Sequence, residues 1–293
     1  MARPFLKWAG GKRGLAPKVV AMLPESYRRY VEPFLGAGAV FFAAQEQRRS
    51  LQSVLSDLNA ELIGAFEVVR DHPGPLVEQL KALAEGYLSG DREERKAFYY
   101  EVRAQEPGSD VERTARTIFL NRTGYNGLYR VNSKGRFNVP HGRYVRPTIC
   151  DEAGLRAAST ALRGAVLLHA DFGAVCRGAG AGDFVYLDPP YQPLSATSHF
   201  TAYTSNGFRQ DDQVRLRDEF ESLTRRGVAA VLSNSDHAAI RDLYEGRGYL
   251  LENVPMGRSI NSVASKRTPI PELLVSNLGR PEVIRALAMV APF

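Results

Sequence analysis

An acid, two prolines and an aromatic residue stand together at Asp188-Pro189-Pro190-Tyr191, directly after the apolar segment 184–187. That segment predicts a buried strand, and ligand sites in open α/β sheets gather at the carboxyl ends of strands. Consecutive prolines hold the backbone rigid and leave the Asp188 and Pro189 carbonyls without an adjacent amide donor. A carboxylate, a rigid carbonyl and an aromatic ring suit a planar substrate that bears an amino group. The alternative is a turn that only ends the strand.

A glycine-containing turn follows a second predicted strand, in the motif Glu32-Pro33-Phe34-Leu35-Gly36-Ala37-Gly38. Glycines at this place let the backbone approach a ligand closely. The motif is not a dinucleotide fingerprint, because Phe41 stands where the third glycine would be, and it lacks the Gly-Lys-Ser/Thr of a P-loop. Asp57 ends the next predicted strand and is placed to bind a ribose diol. Together these features indicate an adenosine-containing cofactor without a pyrophosphate, whereas the glycines alone fit a simple tight turn equally well.

A third motif holds the only tryptophan of the chain, in Phe5-Leu6-Lys7-Trp8-Ala9-Gly10-Gly11-Lys12. Gly10 and Gly11 precede a predicted helix and offer free amide donors, and Lys12 adds a positive charge for a carboxylate. The alternative is a core tryptophan beside a turn.

Positive charge is concentrated in one segment. Between Arg113 and Arg146 the chain has eight basic residues and no acidic one. The remaining residues comprise 30 basic and 32 acidic side chains, so this segment accounts for the whole excess of the net charge of +6. Three tyrosines and three asparagines are interleaved with the arginines: Tyr125, Tyr129, Tyr144, Asn121, Asn126 and Asn132. That mixture suits phosphate contacts, base-edge hydrogen bonds and stacking, although a solvated basic face is the simpler alternative.

Composition excludes several other classes of protein. A chain of 293 residues with 44% hydrophobic and 24% charged residues is typical of a globular protein with one large domain or a domain plus an insertion. Two cysteines cannot form a disulfide framework, and the five histidines show no metal-binding spacing, so we expect no metal. We find no apolar run of signal-peptide or membrane-span length, and therefore expect a cytoplasmic protein that does not contact membranes.

The apolar periodicity predicts an α/β protein with a helical insertion. We predict strands over 30–32, 51–56, 165–170, 184–187, 228–233, 249–254 and 273–277, the third, fourth and fifth of them buried. We predict helices over 12–23, 39–47, 60–70, 74–88, 92–104, 110–121 and 211–226, with Asn59 as an N-cap. The expected division is a catalytic and cofactor-binding domain formed by residues 1–59 and 151–293, and a helical target-recognition domain over 60–150.

The order of these motifs resembles the Dam-type family of DNA adenine-N6 methyltransferases, the alpha group of the D12 class. Besides the three motifs above, the resemblance rests on Ser56-Asp57-Leu58-Asn59, on 120–130 and on 137–144, and further on 193–197, 200–203 and 258–260. It runs from about residue 5 to about residue 278.

The resemblance implies a Rossmann-like sheet that binds S-adenosylmethionine, leaves S-adenosylhomocysteine as product and acts on double-stranded DNA as a monomer. The implied cofactor-binding residues are Trp8, Ala9, Gly10, Lys12, Glu32, Pro33, Phe34, Gly36, Gly38, Asp57, Asp171, Phe172 and Asp188. Asp188, Pro189, Pro190 and Tyr191 are the implied catalytic residues, which grip an adenine that has swung out of the duplex.

The resemblance also implies a target sequence, GATC. Tyr125 and Asn126 would enter the duplex, Leu128 and Pro140 would touch a thymine methyl, and Arg130 and Lys7 would reach guanine. The remaining implied DNA-binding residues are Arg122, Asn138, Arg143 and Tyr144. The segment 125–144 would read the target and is called the reading segment below. The chain departs from the family pattern at Tyr129, 133–134 and His141, in or beside that segment. Residues 204–208 resemble a mobile substrate loop.

Three alternatives remain open from sequence. The chain could be a DNA-binding protein that kept the fold without turnover, although all four residues of the Asp188 motif are present. It could methylate RNA or a protein amide, although neither substrate needs the basic insertion. Methylation of cytosine N4 is chemically close, but it more often goes with serine at the position of Asp188.

Overall fold

The computed structural model describes residues 2–8, 10–48, 51–191, 208–256 and 270–290. The strands are β1 (Tyr30–Glu32), β2 (Ser53–Asp57), β3 (Val166–His169), β4 (Phe184–Leu187), β5 (Ala229–Ser235), β6 (Leu250–Met256) and β7 (Ile270–Ser276). The helices are α1 (Ala16–Ala21), α2 (Ala39–Gln47), α3 (Ala60–Asp71), α4 (Pro73–Leu88), α5 (Arg92–Ala104), α6 (Asp110–Thr123), α7 (Glu152–Leu162), α8 (Phe172–Gly178), α9 (Gln210–Arg225), α10 (Ala238–Tyr244) and α11 (Pro281–Ala288). A short 3-10 helix spans Tyr125–Gly127.

The seven strands form one sheet in the order β3-β2-β1-β4-β5-β7-β6. β1 pairs in parallel with β2 and β4, and β4 pairs in parallel with β5, whereas β7 runs antiparallel to both β5 and β6. The strand order reverses between β1 and β4, and ligands bind outside the carboxyl ends of the strands at such a reversal. The predicted α/β class is confirmed, and the sheet is consistent with a methyltransferase fold that uses S-adenosylmethionine.

The central strands are buried because helices cover them. Every residue of β4 and of β5 is buried. Leu216, Phe220 and Leu223 of α9 share one apolar cluster with residues of both strands. Strands covered on both faces read as continuous apolar runs, which is why the sequence marks β4 and β5 clearly.

Two predicted elements need correction. The segment 165–170 is not a buried strand, because β3 lies at the edge of the sheet and only Leu167 of its four residues is buried. The first helix is shorter than 12–23, since it spans Ala16–Ala21 with Pro17 in its first turn, a place that proline favours. Four further helices, α7, α8, α10 and α11, had no counterpart in the prediction.

The chain folds into two compact units. Unit 1 comprises residues 1–11, 36–50 and 59–167, and unit 2 comprises 12–35, 51–58 and 168–293. Unit 1 holds the helices α2 to α7. Asn59 caps α3 as predicted, because its side chain accepts a hydrogen bond from the Leu62 amide at 3.0 Å. The functional boundaries 1–59, 60–150 and 151–293 stay a prediction.

Within the described ranges, no helix combines the length and apolar character that crossing a membrane requires.

Candidate functional site

Asp188 stands one residue beyond β4, where the register brings it beside Ser233 of β5. The Ser233 hydroxyl donates a hydrogen bond to Asp188 Oδ1 at 2.9 Å, and it lies 2.8 Å from the hydroxyl of Tyr186. Lys12 Nζ lies 3.1 Å from the same Oδ1 atom. These contacts fall on one carboxylate oxygen, so among the described residues Oδ2 remains the acceptor available to an incoming amino group.

Lys12 is buried at the centre of this cluster, with 6% of its side chain exposed. Its ammonium lies 3.7 Å from Glu272 Oε1 and 4.2 Å from the centre of the Tyr191 ring. Burial raises the pKa of Asp188 although Lys12 and Ser233 oppose that shift. Sequence reasoning assigned Lys12 to a cofactor carboxylate, and the structure places it against Asp188.

Glu272 is the member of the cluster that sequence reasoning missed. It lies on β7, paired with Ser235 of β5, and burial raises the pKa of its carboxyl group. The buried Tyr191 hydroxyl faces this carboxylate, and burial raises the pKa of Tyr191, which therefore stays protonated. The only signal in the sequence is one acid before the apolar run 273–275, and only the antiparallel pairing of β7 with β5 brings it to Asp188.

The end of β1 carries residues that fit a flat base. The Phe34 ring stacks on Phe172 with 5.2 Å between centroids and meets Phe208 edge-on at 5.9 Å. Pro33 and Glu32 are both buried. The Glu32 carboxylate accepts a hydrogen bond from the Tyr30 hydroxyl at 2.7 Å.

Asp57 and Asp171 follow strands β2 and β3 in the same unit. Asp57 is half-buried at the end of β2, and its carbonyl accepts a hydrogen bond from the Ala170 amide at 3.3 Å. Asp171 caps α8, and Arg215 binds both of its oxygens at 2.9 Å. The Asp171 carboxylate is thus engaged within the fold. Asp57 and the aromatic cluster of Phe34, Phe172 and Phe208 are an acid and an apolar surface of the kind that an adenosine requires.

In unit 1, Trp8 stacks on Tyr129 with ring centroids 5.0 Å apart. Gly36 has a φ of +49°, and a Cβ atom there would lie 3.3 Å from Trp8 Cδ1. A side chain at Gly36 would therefore be strained and would crowd the indole. Gly10 and Gly38 also adopt positive φ. Ala9 lies outside the described residues.

Lys7 and Tyr144, both predicted to bind DNA, lie together. Lys7 Nζ is 3.5 Å from the Tyr144 hydroxyl and 4.6 Å from the centre of its ring. The backbone of Lys7 is fixed by Asn121, whose side chain accepts from the Lys7 amide and donates to the Lys7 carbonyl, both at 2.8 Å. Asn121 also donates to the Gly127 carbonyl at 2.8 Å, which ties Lys7 to the turn at 125–127.

The predicted reading turn is exposed. Half of the Tyr125 side chain is accessible, and Asn126 is exposed with a φ of +53°, a conformation that asparagine tolerates better than most residues. Arg130 is exposed and donates to Asn138 Oδ1 at 2.7 Å. Of the other predicted contacts, Pro140 and Arg143 are exposed and Leu128 is half-buried.

Three residues near the reading segment serve the fold instead. Arg122 donates to the Phe5 carbonyl at 2.8 Å and is half-buried, so it is less available to DNA than predicted. The Tyr129 hydroxyl donates to Glu61 at 2.8 Å. His141 lies 2.7 Å from the Tyr87 hydroxyl, and burial lowers its pKa.

An open groove of about 750 Å³ adjoins Arg143 and Tyr144 in unit 1. Arg92, Arg95 and Lys96 of α5 line it. Asp91 and Glu93 also line it, so the groove carries charges of both signs.

Several predicted similarities lie outside the described residues. These are the stretches 193–197, 200–203 and 258–260, and all of the loop 204–208 except Phe208.

Comparison with known proteins agrees with this geometry. The sequence model of the D12 class N6 adenine-specific DNA methyltransferases matches residues 8–258. The chain is 42% identical to a type II methyltransferase, M.MjaIII, of Methanocaldococcus jannaschii, over 94% of this chain and 99% of that protein. It is 40% identical to the type II methyltransferase M1.LlaDCHI of Lactococcus lactis, over 94% and 96% of the two chains. It is 37% identical to a DNA adenine methylase of Vibrio cholerae, over 93% and 95%.

Proposed function

The chain belongs to the D12 class of N6 adenine-specific DNA methyltransferases, and on that premise we propose that it takes its methyl group from S-adenosylmethionine and methylates adenine within GATC. The observation that carries the proposal is the buried Asp188 cluster at the carboxyl end of β4. Membership of the family makes the chain an enzyme that methylates adenine in DNA, while the donor, the target sequence and the residue roles are proposals.

The residues of unit 2 suit this donor. S-adenosylmethionine, when bound, supplies the methyl group on a sulfonium centre that keeps the electrons of the broken bond. Asp57 would accept hydrogen bonds from the ribose hydroxyls. The aromatic cluster of Phe34, Phe172 and Phe208 would cover the adenine ring.

The Asp188 motif would orient the reacting nitrogen. Asp188 Oδ2 and the Pro189 carbonyl would accept the two N6 hydrogens, which localises the nitrogen lone pair and directs it at the methyl carbon. Tyr191 would stack on the base. Catalysis then rests on positioning and on electrostatic complementarity, and no protein nucleophile is needed.

A base inside a duplex cannot reach a half-buried carboxylate, so we propose that the adenine swings out before transfer. The exposed turn at Tyr125 and Asn126 supports this step, because an aromatic ring there can fill the gap that the base leaves.

The target GATC is supported by the reading segment. Lys7 and Arg130 would reach guanine acceptors, and Leu128 and Pro140 would contact a thymine methyl. Arg143, Tyr144 and Asn138 would hold nearby phosphates or base edges. In this proposal the chain acts as a monomer on DNA in the cytoplasm.

The experiment is methyl transfer from labelled S-adenosylmethionine to paired duplexes that differ only in GATC versus GTTC. We expect N6-methyladenine in the GATC duplex and none above background in its partner. Equal transfer to both duplexes would overturn the proposed target. Transfer to neither, with the cofactor bound, would likewise overturn the proposed target, because an adenine methyltransferase with another target leaves both duplexes unmodified.

A further inference from the structure

Glu272 lies in the Asp188 cluster, although the proposed function assigns it no role. Its side chain is 13% exposed, Oε1 lies 3.7 Å from Lys12 Nζ, and the Tyr191 hydroxyl faces the carboxylate. It reaches this place from β7, while Asp188 follows β4 and Lys12 precedes α1. Three separate parts of the chain therefore meet here within unit 2.

The charges of this cluster do not cancel in pairs. Among the residues that the structure describes, the titratable groups that face Glu272 are Lys12, Asp188, Tyr191 and Tyr186. Burial raises the pKa of both tyrosines, so they stay neutral. When both carboxylates are ionised, two negative charges surround one ammonium and the cluster carries one net negative charge. Without Glu272, Asp188 and Lys12 would form a neutral pair.

The chemistry of the transfer gives this charge a use. As the bond between N6 and the methyl carbon forms and the bond from carbon to sulfur breaks, the sulfur keeps the bonding pair and the positive charge passes to N6. The nitrogen then loses one proton, and the Asp188 carboxylate, which the proposed function places against N6, is a base that accepts it. Fixed negative charge in a site that excludes water stabilises such a developing cation.

We infer that Glu272 is a positioning residue for the methyl transfer: it holds Lys12 and Tyr191 in place and keeps the cluster negative, so that Lys12 does not neutralise Asp188. The inference rests on the proposed function, since it assigns Glu272 a part in the same reaction. Glu272 acts through Lys12 and Tyr191, and contact with the substrate is not required of it.

The test compares Glu272→Gln, which removes the charge and keeps the shape, with Glu272→Asp, which keeps the charge. Glu252→Gln on the neighbouring strand β6 is the matched control, because Glu252 is 40% exposed and its carboxylate pairs with Lys18 and not with Lys12. The readouts are kcat, KM for DNA and for S-adenosylmethionine, the pH profile of kcat, and thermal unfolding.

We expect Glu272→Gln to lower kcat by on the order of 10- to 100-fold, below the loss for a group that contacts the reacting atoms, with both KM values little changed. Glu272→Asp should recover part of kcat, and Glu252→Gln should match the unmodified enzyme. Because removing a negative neighbour lowers the pKa of Asp188, the acid limb of the profile should move to lower pH in Glu272→Gln.

Two outcomes would overturn the inference. One is an unchanged kcat and profile in Glu272→Gln. The other is a loss of kcat with an unmoved acid limb and no rescue by aspartate, which would mean that Glu272 only supports the fold. Failure of the unmodified enzyme to methylate adenine would instead reject the proposed function itself.

Discussion

At the scale of single residues, Tyr129 joins Trp8 to the interior of unit 1. Its ring stacks on the indole, and its hydroxyl donates to Glu61, which also accepts a hydrogen bond from Thr117. Tyr129 departs from the family pattern within the reading segment. Because its side chain is buried against Trp8 and Glu61, it supports that segment from the interior of unit 1.

Tyr129→Phe should keep the ring stack and lose the hydroxyl. We expect destabilisation of about 1 to 3 kcal/mol, because the carboxylate of Glu61 loses a donor in a half-buried place. Tyr129→Ala should cost more, about 3 to 5 kcal/mol, since the ring is lost as well. Urea unfolding measures both values, and equal losses in the two variants would contradict the assigned stacking.

The Asp188 cluster shows which single residues a sequence reveals and which it does not. Asp188 and Tyr191 could be predicted because they belong to one contiguous motif after an apolar strand. Lys12 also belongs to a motif that the sequence shows, but its pairing with Asp188 could not be predicted from the sequence. Glu272 was missed because a lone acid on a strand has no local signature, and its neighbours come from strands distant in the chain.

At the scale of elements, Asp183 fastens the start of β4 to the residues before β1. Its side chain is fully buried. The carboxylate pairs with Arg28 at 3.0 Å and with Arg29 at 2.6 Å, and it accepts a hydrogen bond from the Gly180 amide at 2.9 Å. Burial by itself would raise the pKa of Asp183, but the hydrogen bonds from Arg29 and Arg28 outweigh it and the pKa is lowered. This cluster keeps the two strands that bear Phe34 and Asp188 in register.

Asp183→Asn should destabilise the protein by about 3 kcal/mol at neutral pH, because Arg28 and Arg29 lose their buried charge partner. The lowered pKa means that this stabilisation is present above the ordinary aspartate pKa of about 4 and is lost as pH falls through the folded value. Denaturant unfolding across pH should show the variant and the parent converging in acid. Asp218→Asn is the control and should change stability by less than about 1 kcal/mol, because the Asp218 side chain, which pairs with Arg217, is 60% exposed. A constant gap between variant and parent down to acid pH would contradict the assignment.

The elements themselves were largely predictable. Amphipathic helices such as α4, α5 and α6 and the buried strands β4 and β5 have the periodicities that the sequence pattern detects. β3 was misjudged because an edge strand and a buried strand share short apolar runs. α8 and α10 span only seven residues each, too few to show a helical period.

At the scale of the whole molecule, the charge distribution separates the segment 113–146 from the rest of the chain. The structure gives those residues different tasks, since Arg116 donates to backbone carbonyls and Arg143 is exposed. Net charge alone therefore overstates the number of residues that can reach phosphates.

Arg143→Gln should weaken DNA binding and reduce its dependence on salt. If Arg143 contacts one phosphate, the slope of log K against log salt should fall in magnitude by about 0.9. Arg156→Gln on α7 is the control, because that arginine is also exposed but pairs with Glu152. Titration of a labelled duplex at several salt concentrations gives both slopes, and equal slopes for Arg143→Gln and the parent would contradict the proposed contact.

In the proposed reaction, Asp188 presents the adenine amino group for methylation. The most direct measurement is single-turnover transfer from labelled S-adenosylmethionine to a GATC duplex, with the modified nucleoside identified, for the parent and for Asp188→Ala. We predict N6-methyladenine with the parent and a loss of on the order of 100-fold or more in the transfer rate with the variant, while DNA is still bound. Transfer at an undiminished rate by Asp188→Ala, or a methylated base other than adenine with the parent, would contradict the account.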